Sequence, residues 1–426
     1  MSAYSWDFLI SVAVLLAFFI VPSSPLNLLP QSPTRRRYLS KSTLIIALPF
    51  IHGSAVLADT TPSSLYKAWS AGDGFLDESF ISFSLDSYKS MIEDKSRTPA
   101  FKQAINERLA QSPPKTQLVM DLGTGPYAVL AIQAAKAGAK KVYAVEAIKQ
   151  AADLAKSAVA KAVRKGEISE GVIEVIEGLS TKVTLPEKVD LVVAEIIGSI
   201  ASEEGLHATL RDVHSRHVKD PLSPSSFIPT RVQTLFAPAS YTLHYALGPP
   251  EYDWGKLKEP VRFNCRDPAV QIMSDPKVAE DISFASPGFP KPGNYDPTKG
   301  KVNFSVSPAR IESNTLAYYT ELMRAGSGPS NASATASAVA RSLSGFAFWP
   351  RLVLDTAGDI VVESRGGEGE GRKSHWQTVV AIASERPVEV GEGDVVGVEF
   401  KEVLGGEVDN PTKYEVRGGV ERAEEI

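Results

Sequence analysis

The sequence predicts an α/β chain in which a Rossmann-like domain is followed by an antiparallel β-barrel-like domain. Three apolar strand candidates, QLVMDLG, KVYAVEA and VDLVVAEI, are separated by alanine-rich segments that end at Gly138 and Gly166. Because glycine is the preferred residue just after a helix, this stretch predicts the order βαβαβ and a parallel sheet. From Pro229 onward, apolar and polar residues alternate, which predicts antiparallel strands instead.

These patterns divide the chain into a targeting region (1–58), a helical lead-in (59–114), the Rossmann-like domain (115–228) and the barrel domain (229–426). In the lead-in, SLDSYKSMIEDKSRTPAFKQAINERL predicts one helix that two prolines close. The predicted barrel strands are RVQTLFA, YTLHYAL, KVNFSVS, GFAFWPRLVLD, DIVVESR, HWQTVVAI and DVVGVEFKEV. A proline-rich region at 248–300 and a low-complexity stretch at 326–345 interrupt them, and the second predicts a mobile surface loop.

Composition excludes several classes of protein. The 426 residues are enough for two domains, and the net charge of −5 argues against a nucleic-acid binder, which needs a basic surface. The single cysteine, Cys265, excludes an intrachain disulfide and a cysteine-clustered metal site. The sequence therefore predicts a folded protein without a nucleic-acid partner and without a metal.

The N-terminal region has the composition of a targeting segment. No Asp or Glu occurs from Phe8 to Ala58. An apolar run of 14 residues, FLISVAVLLAFFIV, is followed by TRRRYLSKSTLIIALPFIHGSAVLA, which resembles a twin-arginine export signal. Two signals in series predict import into a plastid, with the thylakoid lumen as the final address, or entry into the secretory pathway, and a mature start near Asp59. The alternative is one uncleaved membrane anchor, which would be the only link to a membrane.

The loop after the first parallel strand favours a ligand without phosphate. Asp121 precedes Gly123 and Gly125, and Glu146 ends the next strand, where an acid can accept hydrogen bonds from ribose hydroxyls. Pro126 removes a backbone donor that a phosphate would use. A carboxylate at Asp121 repels a pyrophosphate and attracts a cationic sulfonium group. The loop therefore predicts S-adenosyl-L-methionine as the cofactor.

Several further blocks resemble the protein arginine methyltransferases. They are MIEDKSRTPAFKQAI, AAKAGAKKVYAVE, KVDLVVAEIIGSIASEEG, FIPTRV and SHWQTVV, within roughly residues 80–426. The resemblance implies methyl transfer from S-adenosyl-L-methionine to the arginine guanidinium of a protein substrate. It also suggests a homodimer, because the region 248–300 stands in the place of the family's dimerisation arm.

The resemblance also implies roles for individual residues. Glu195 and Glu204, nine residues apart, would bind the guanidinium bidentately. His375 would accept the released proton, or would only shape the pocket as a hydrogen-bonded barrel histidine. Glu203, next to Glu204, has no assigned role and is predicted to face solvent. The remaining predictions are Arg97, Asp121, Gly123, Gly125 and Glu146 for the cofactor, and Met91 and Trp376 for the substrate.

Two alternatives follow from departures from the family pattern. Between the two glutamates, IIGSIAS replaces bulky aromatic and methionine side chains, which favours a methyltransferase of a non-arginine or small-molecule acceptor. The altered glycine loop favours a catalytically silent binding protein with the same fold. The sequence leaves these alternatives open.

Overall fold

The computed structural model describes residues 64–71, 85–250, 252–264, 267–365, 375–407 and 410–423. The predicted targeting region 1–58 and Cys265 lie outside these residues, so the targeting prediction stays a prediction. Within the described ranges, none of the helices has the length and apolar character needed to cross a bilayer.

The helices and strands are numbered in chain order. The helices are α1 (Leu85–Glu93), α2 (Arg97–Ala110), α3 (Val129–Lys136), α4 (Lys149–Arg164), α5 (Leu206–Arg216), α6 (Thr242–Ala246), α7 (Pro308–Arg324) and α8 (Ala332–Ala340). The first strands are β1 (Leu65–Ser70), β2 (Leu118–Leu122), β3 (Lys141–Glu146), β4 (Ile173–Glu177), β5 (Leu191–Ala194), β6 (Phe227–Ile228), β7 (Arg231–Tyr241), β8 (Val261–Asn264), β9 (Val270–Ile272) and β10 (Lys277–Ser283). The later strands are β11 (Gly293–Tyr295), β12 (Val302–Ser305), β13 (Ser342–Leu343), β14 (Gly345–Val353), β15 (Val361–Glu363), β16 (Gln377–Ile382), β17 (Val388–Glu389), β18 (Val395–Leu404) and β19 (Lys413–Glu421).

A five-stranded parallel sheet, in the order β4-β3-β2-β5-β6, forms the centre of the first domain. Every residue of β2 and β5 is buried, as expected for strands that helices cover on both faces. Gly138 and Gly166 follow α3 and α4 with positive φ, as their positions predicted. The strands β4 and β6 were not predicted from the sequence. The strand β4 is partly exposed and so has no continuous apolar run, and β6 has only two residues.

The second domain consists mainly of two antiparallel sheets. One has seven strands, with the path β10-β7-β14-β16-β8 and with β9 and β15 paired at its sides. The other follows β1-β19-β18-β11, with β12 also on β18. The predicted fold class, a Rossmann-like domain followed by an antiparallel barrel-like domain, is confirmed. The lead-in is not wholly helical, because β1 belongs to the second sheet.

Three local predictions were wrong. The predicted single helix of the lead-in is broken between α1 and α2, where the Asp94 carboxylate accepts hydrogen bonds from the backbone N–H groups of Ser96 and Arg97. The segment YTLHYAL contains the end of β7 and the single-turn helix α6, which is too short to show a helical period. The low-complexity stretch contains α8, capped by the Asn331 side chain and packed against α7.

Candidate functional site

A pocket opens at the carboxyl edge of the parallel sheet, where ligands of such sheets bind. All the predicted site residues except Trp376 line it. They are Met91, Arg97, Asp121, Gly123, Gly125, Glu146, Glu195, Glu204 and His375. The strands β2, β3 and β5 deliver Asp121, Glu146 and Glu195 to the same edge. The loops after β2 and β5 add the two glycines and Glu204, the lead-in adds Met91 and Arg97, and the barrel domain adds His375.

The loop after β2 requires glycine at two positions. Gly123 and Gly125 have φ of +73° and +64°, a region that other residues adopt at a cost. A Cβ atom on Gly123 would lie only 2.9 Å from Cγ2 of Ile196. Tyr127 is exposed at the pocket rim. The two glycines therefore allow the loop backbone to lie close to the ends of the strands, although Pro126 also stands in this loop.

Two buried carboxylates hold this loop. Glu146 accepts hydrogen bonds from the backbone N–H groups of Gly125 and Ile148, each at 2.9 Å. Asp121 accepts one from the Thr124 hydroxyl at 2.6 Å. Burial raises the pKa of both carboxyl groups, and it raises the pKa of Asp121 to about 6. Each oxygen of Glu146 has a second lone pair, so the side chain can still accept hydroxyl donors from a ligand.

We expect Glu146→Ala to weaken the binding of S-adenosylhomocysteine. Loss of a buried acceptor costs about 1–3 kcal/mol, or roughly 5- to 150-fold in affinity, and here the Gly125 N–H also loses its partner. Isothermal titration calorimetry measures the change. Glu177→Ala is the matched control, since Glu177 ends the neighbouring strand β4 and is exposed. Equal affinities of the two variants would contradict the assignment.

Arg97 and Glu195 form a buried ion pair across the pocket. The Arg97 Nη2 donates to Glu195 Oε2, and its Nη1 donates to the Met91 carbonyl at 3.1 Å. Burial alone would raise the pKa of Glu195, but the charge of Arg97 and the nearby His375 ring outweigh it and lower the pKa. Glu195 is therefore ionised at neutral pH.

His375 lies between two carboxylates. Its Nδ1 is 3.2 Å from Asp94 Oδ2, and its Nε2 is 3.7 Å from Glu195 Oε1. Burial would raise the pKa of Asp94, but hydrogen bonds from His375, Arg97 and Ser96 bring it well below the usual range. An ionised Asp94 fixes the proton of the ring on Nδ1 and leaves the Nε2 lone pair facing the pocket. The role of Asp94 in the site was not predicted from the sequence, although an Asp just before the start of a helix is a recognisable capping signal.

The glutamates of the loop after β5 differ in environment. Burial and the negative charges of Glu195 and Glu203 raise the pKa of Glu204 well above its usual value. Glu203, predicted to face solvent, is buried, and this prediction was wrong. It forms an ion pair with Arg262 of β8 and accepts a hydrogen bond from the backbone N–H of Ser199 at 3.1 Å. It therefore fastens the loop to the barrel domain.

Trp376 lies behind the pocket instead of lining it. Its indole Nε1 donates to the Ile197 carbonyl at 2.7 Å, and the next residue, Gln377, donates its backbone N–H to the Ser199 hydroxyl at 3.0 Å. The ring is buried in the hydrophobic core. The structure thus places Trp376 as a support of the loop that carries the glutamates.

Comparison with known proteins gives matches of two kinds. Residues 103–210 match the model of the family "Ribosomal protein L11 methyltransferase (PrmA)". Among curated proteins, protein arginine N-methyltransferase PRMT10 of Arabidopsis thaliana is 37% identical over 131 residues, which is 31% of this chain and 32% of that protein. The probable protein arginine N-methyltransferase 6 of the same plant is 31% identical over 160 residues, 37% of this chain and 34% of that protein. The chain therefore spans about a third of the length of these relatives.

The solved structures extend the likeness in fold. The structure of Arabidopsis thaliana protein arginine methyltransferase 10 in an open conformation has a TM-score of 0.57 at 20% identity, and the match covers 80% of this chain and 94% of that one. The Trypanosoma brucei PRMT1 enzyme-prozyme complex with AdoHcy has a TM-score of 0.51 at 17% identity, covering 74% and 87%. The resemblance noted in the sequence is thereby confirmed over the first domain, which is similar to plant protein arginine N-methyltransferases, and the chain shares the fold of the solved arginine methyltransferase structures.

Proposed function

We propose that the chain is an S-adenosyl-L-methionine-dependent methyltransferase whose acceptor is the guanidinium of arginine in a protein substrate. The observation that carries the proposal is the pair Glu195 and Glu204 in one pocket with the glycine loop. Two half-buried carboxylates whose negative charges repel each other create a site that a cation stabilises. A guanidinium is a permanent cation whose planar donors match carboxylates.

The residues of the pocket fit the cofactor. Glu146 offers acceptors for ribose hydroxyls, and the glycine loop brings backbone close without a Cβ. The Arg97 Nε is buried and has no hydrogen-bond partner among the described residues, so it is a donor for the carboxylate of a methionine portion. When bound, S-adenosyl-L-methionine supplies a methyl group on a sulfonium, ready for displacement.

The ion pair between Arg97 and Glu195 suggests how acceptor binding is ordered. The guanidinium of Arg97 occupies an oxygen of Glu195 that a substrate guanidinium would use. If Arg97 turns toward the cofactor carboxylate, the Glu195 oxygen that it occupied becomes free. Glu195 is then a negative charge without a counter-ion, which a substrate guanidinium can pair with. The cofactor should therefore bind first, and the acceptor second.

The remaining groups perform alignment and proton transfer. Glu195 and Glu204 hold the guanidinium so that one terminal nitrogen faces the methyl group, which lowers the entropic barrier to an in-line displacement. The nitrogen would form a bond to the methyl carbon while the bond from that carbon to sulfur breaks, and the nitrogen would then lose one proton. His375 Nε2 can accept that proton, and Asp94 on Nδ1 stabilises the imidazolium that results.

The direct test is methyl incorporation from labelled S-adenosyl-L-methionine into an extract of the native compartment, followed by amino-acid analysis of the labelled protein. Label on arginine is expected. Label elsewhere would favour the alternative of another acceptor, for which the small residues between the glutamates leave room. No label, together with no calorimetric binding of S-adenosylhomocysteine, would favour the silent binding protein.

We expect the affinity for an acceptor peptide to rise with pH. Burial and like charges raise the pKa of Glu204 in the protein without a substrate, whereas a bound guanidinium would lower it. Between the lowered pKa of Glu204 in the complex and its raised pKa in the free protein, the free protein carries a proton that the complex releases, so affinity increases with pH by up to about tenfold per pH unit.

Calorimetry with an arginine peptide identified as a substrate, in buffers of different ionisation enthalpy, measures this proton release directly. The variant Glu204→Gln should bind more weakly and without release of a proton. An affinity that does not change with pH in the wild type would show that Glu204 does not face the acceptor.

Maturation, compartment and assembly are part of the proposal. The acid-free leader supports a mature chain that starts near Asp59 in a plastid or secretory compartment, and peptides from residues 1–57 in the native protein would argue for an uncleaved anchor. A homodimer is proposed by analogy with the family, and light scattering of the processed protein would test it.

A further inference from the structure

A second cluster of ionisable side chains lies outside the pocket. His207 of α5, Glu280 of β10 and Glu402 of β18 are each at most 5% exposed. One ligand atom from each lies within 4.8 Å of the others. The three residues come from the first domain and from both large sheets of the barrel domain. They therefore meet where three separate parts of the fold come together.

Most of the polar atoms in this cluster lack partners. Among the described residues, no group meets hydrogen-bond geometry with either ring nitrogen of His207, either carboxylate oxygen of Glu402 or Oε1 of Glu280, although Ser202 lies near enough to interact with both carboxylates and the two carboxylates interact with each other. The other oxygen of Glu280 accepts a hydrogen bond from Thr234. Buried carboxylates without partners are costly, and each such group needs an explanation such as a bound ion.

We propose that His207, Glu280 and Glu402 bind a divalent transition-metal cation. Two carboxylates balance the charge of such an ion, and a neutral imidazole donates a lone pair to it. An imidazole ligand favours zinc or iron over magnesium and calcium, which prefer oxygen ligands alone.

The geometry is close to that of a coordination shell. Ligand atoms at about 2.1 Å from a tetrahedral metal lie about 3.4 Å from one another, so the three side chains would draw together by at most about 1.4 Å. Tyr295 and Glu402 line a groove at the surface of the second sheet, which gives an ion a path to the cluster. The cation would join α5 to both sheets.

The site also connects to the loop that carries the glutamates. Thr234, which donates to Glu280, accepts a hydrogen bond from the backbone N–H of Ala201 at 2.8 Å. The adjacent Ser202 hydroxyl is 3.0 Å from the Tyr414 hydroxyl, and Tyr414 is the cross-strand partner of Glu402. A bound cation would therefore fix the back of this loop, and its role would be structural.

The competing arrangement is a proton shared between Glu280 and Glu402. Burial and the neighbouring Glu280 raise the pKa of Glu402 well above its usual value, so a protonated Glu402 can donate to Glu280. The two arrangements differ in their response to Glu402→Gln. This change removes a metal ligand but keeps a donor for Glu280, so it weakens a metal site and preserves a hydrogen-bonded pair.

The experiment measures metal binding by the processed protein. Metal analysis after purification without chelators should find about one equivalent of a transition metal per chain, and Zn²⁺ should raise the Tm of the chelator-treated wild type, whereas Mg²⁺ should not. In Glu402→Gln and Glu280→Gln the Kd for Zn²⁺ should rise at least about 100-fold. His244→Gln is the matched control, because His244 is equally buried but belongs to no such group among the described residues.

The proposal would be overturned if the wild-type protein bound no metal. It would also be overturned if Glu402→Gln and Glu280→Gln bound Zn²⁺ as tightly as His244→Gln does. Either result would favour the proton shared between Glu280 and Glu402. If both glutamine variants fail to fold, Co²⁺ bound to the wild type decides. One nitrogen and two carboxylate ligands in its X-ray absorption spectrum are expected, and a different ligand set would refute the site.

Discussion

Glu204→Gln is expected to lower turnover by roughly thirtyfold to several thousandfold while the affinity for S-adenosylhomocysteine barely changes. The glutamine keeps the volume and one acceptor oxygen but removes the charge that balances the acceptor cation. Breaking one side of a buried charge pair costs about 2–5 kcal/mol, which gives this range of rates. Methyl transfer to the identified substrate and calorimetry with S-adenosylhomocysteine supply the two measurements.

Glu195→Gln should lower turnover by a similar factor but should also affect the protein without substrate. Glu195 balances the buried charge of Arg97, so its loss leaves that guanidinium unpaired and the free energy of unfolding falls as well. Because both glutamates act on one ligand, the double variant should lose less than the product of the two factors. Full activity of Glu204→Gln would end the arginine interpretation and favour another acceptor.

Glu203→Gln is expected to lower the free energy of unfolding by about 3–5 kcal/mol. Its carboxylate pairs with Arg262, and both side chains are at most 6% exposed, so neutralising one partner leaves a buried charge without balance. Glu203 also accepts the backbone N–H of Ser199, which shapes the loop between Glu195 and Glu204. Urea denaturation, followed by fluorescence, measures the change.

The control is Glu177→Gln, which breaks the exposed pair between Glu177 and Lys149 and should change stability by less than about 1 kcal/mol. If Glu203→Gln were no more destabilising than this control, then the stability of the protein would not depend on the ion pair between Glu203 and Arg262.

Local patterns made the first domain predictable. The strands β2, β3 and β5 are mostly apolar runs, and their ends place Asp121, Glu146 and Glu195 at one edge because parallel strands share a direction. The glycines of the loop and those after the helices could be assigned from backbone requirements alone. The predicted residues that line the pocket follow from these short-range rules and from the family resemblance.

Long-range pairing made the rest unpredictable. Asp94 contacts His375 across 281 residues of sequence, and Glu203 meets Arg262 through the way the two domains pack. The sequence around Glu203 gives no sign of such a partner, so a position at the surface is predicted for this residue. The cluster of His207, Glu280 and Glu402 has no spacing signal either, since each residue lies on a different element.

The strand β1 ties the beginning of the described chain to its end. It pairs with β19 along its whole length, and the Tyr66 hydroxyl reaches Glu415, 349 residues away in sequence. Because this pairing joins residues as far as 349 positions apart, β1 can pair only once the residues of β19 have been synthesised. Any nascent intermediate that lacks β19 therefore presents an open strand edge that a chaperone could cover. Cleavage at the proposed site near Asp59 would leave β1 in place, because β1 begins at Leu65.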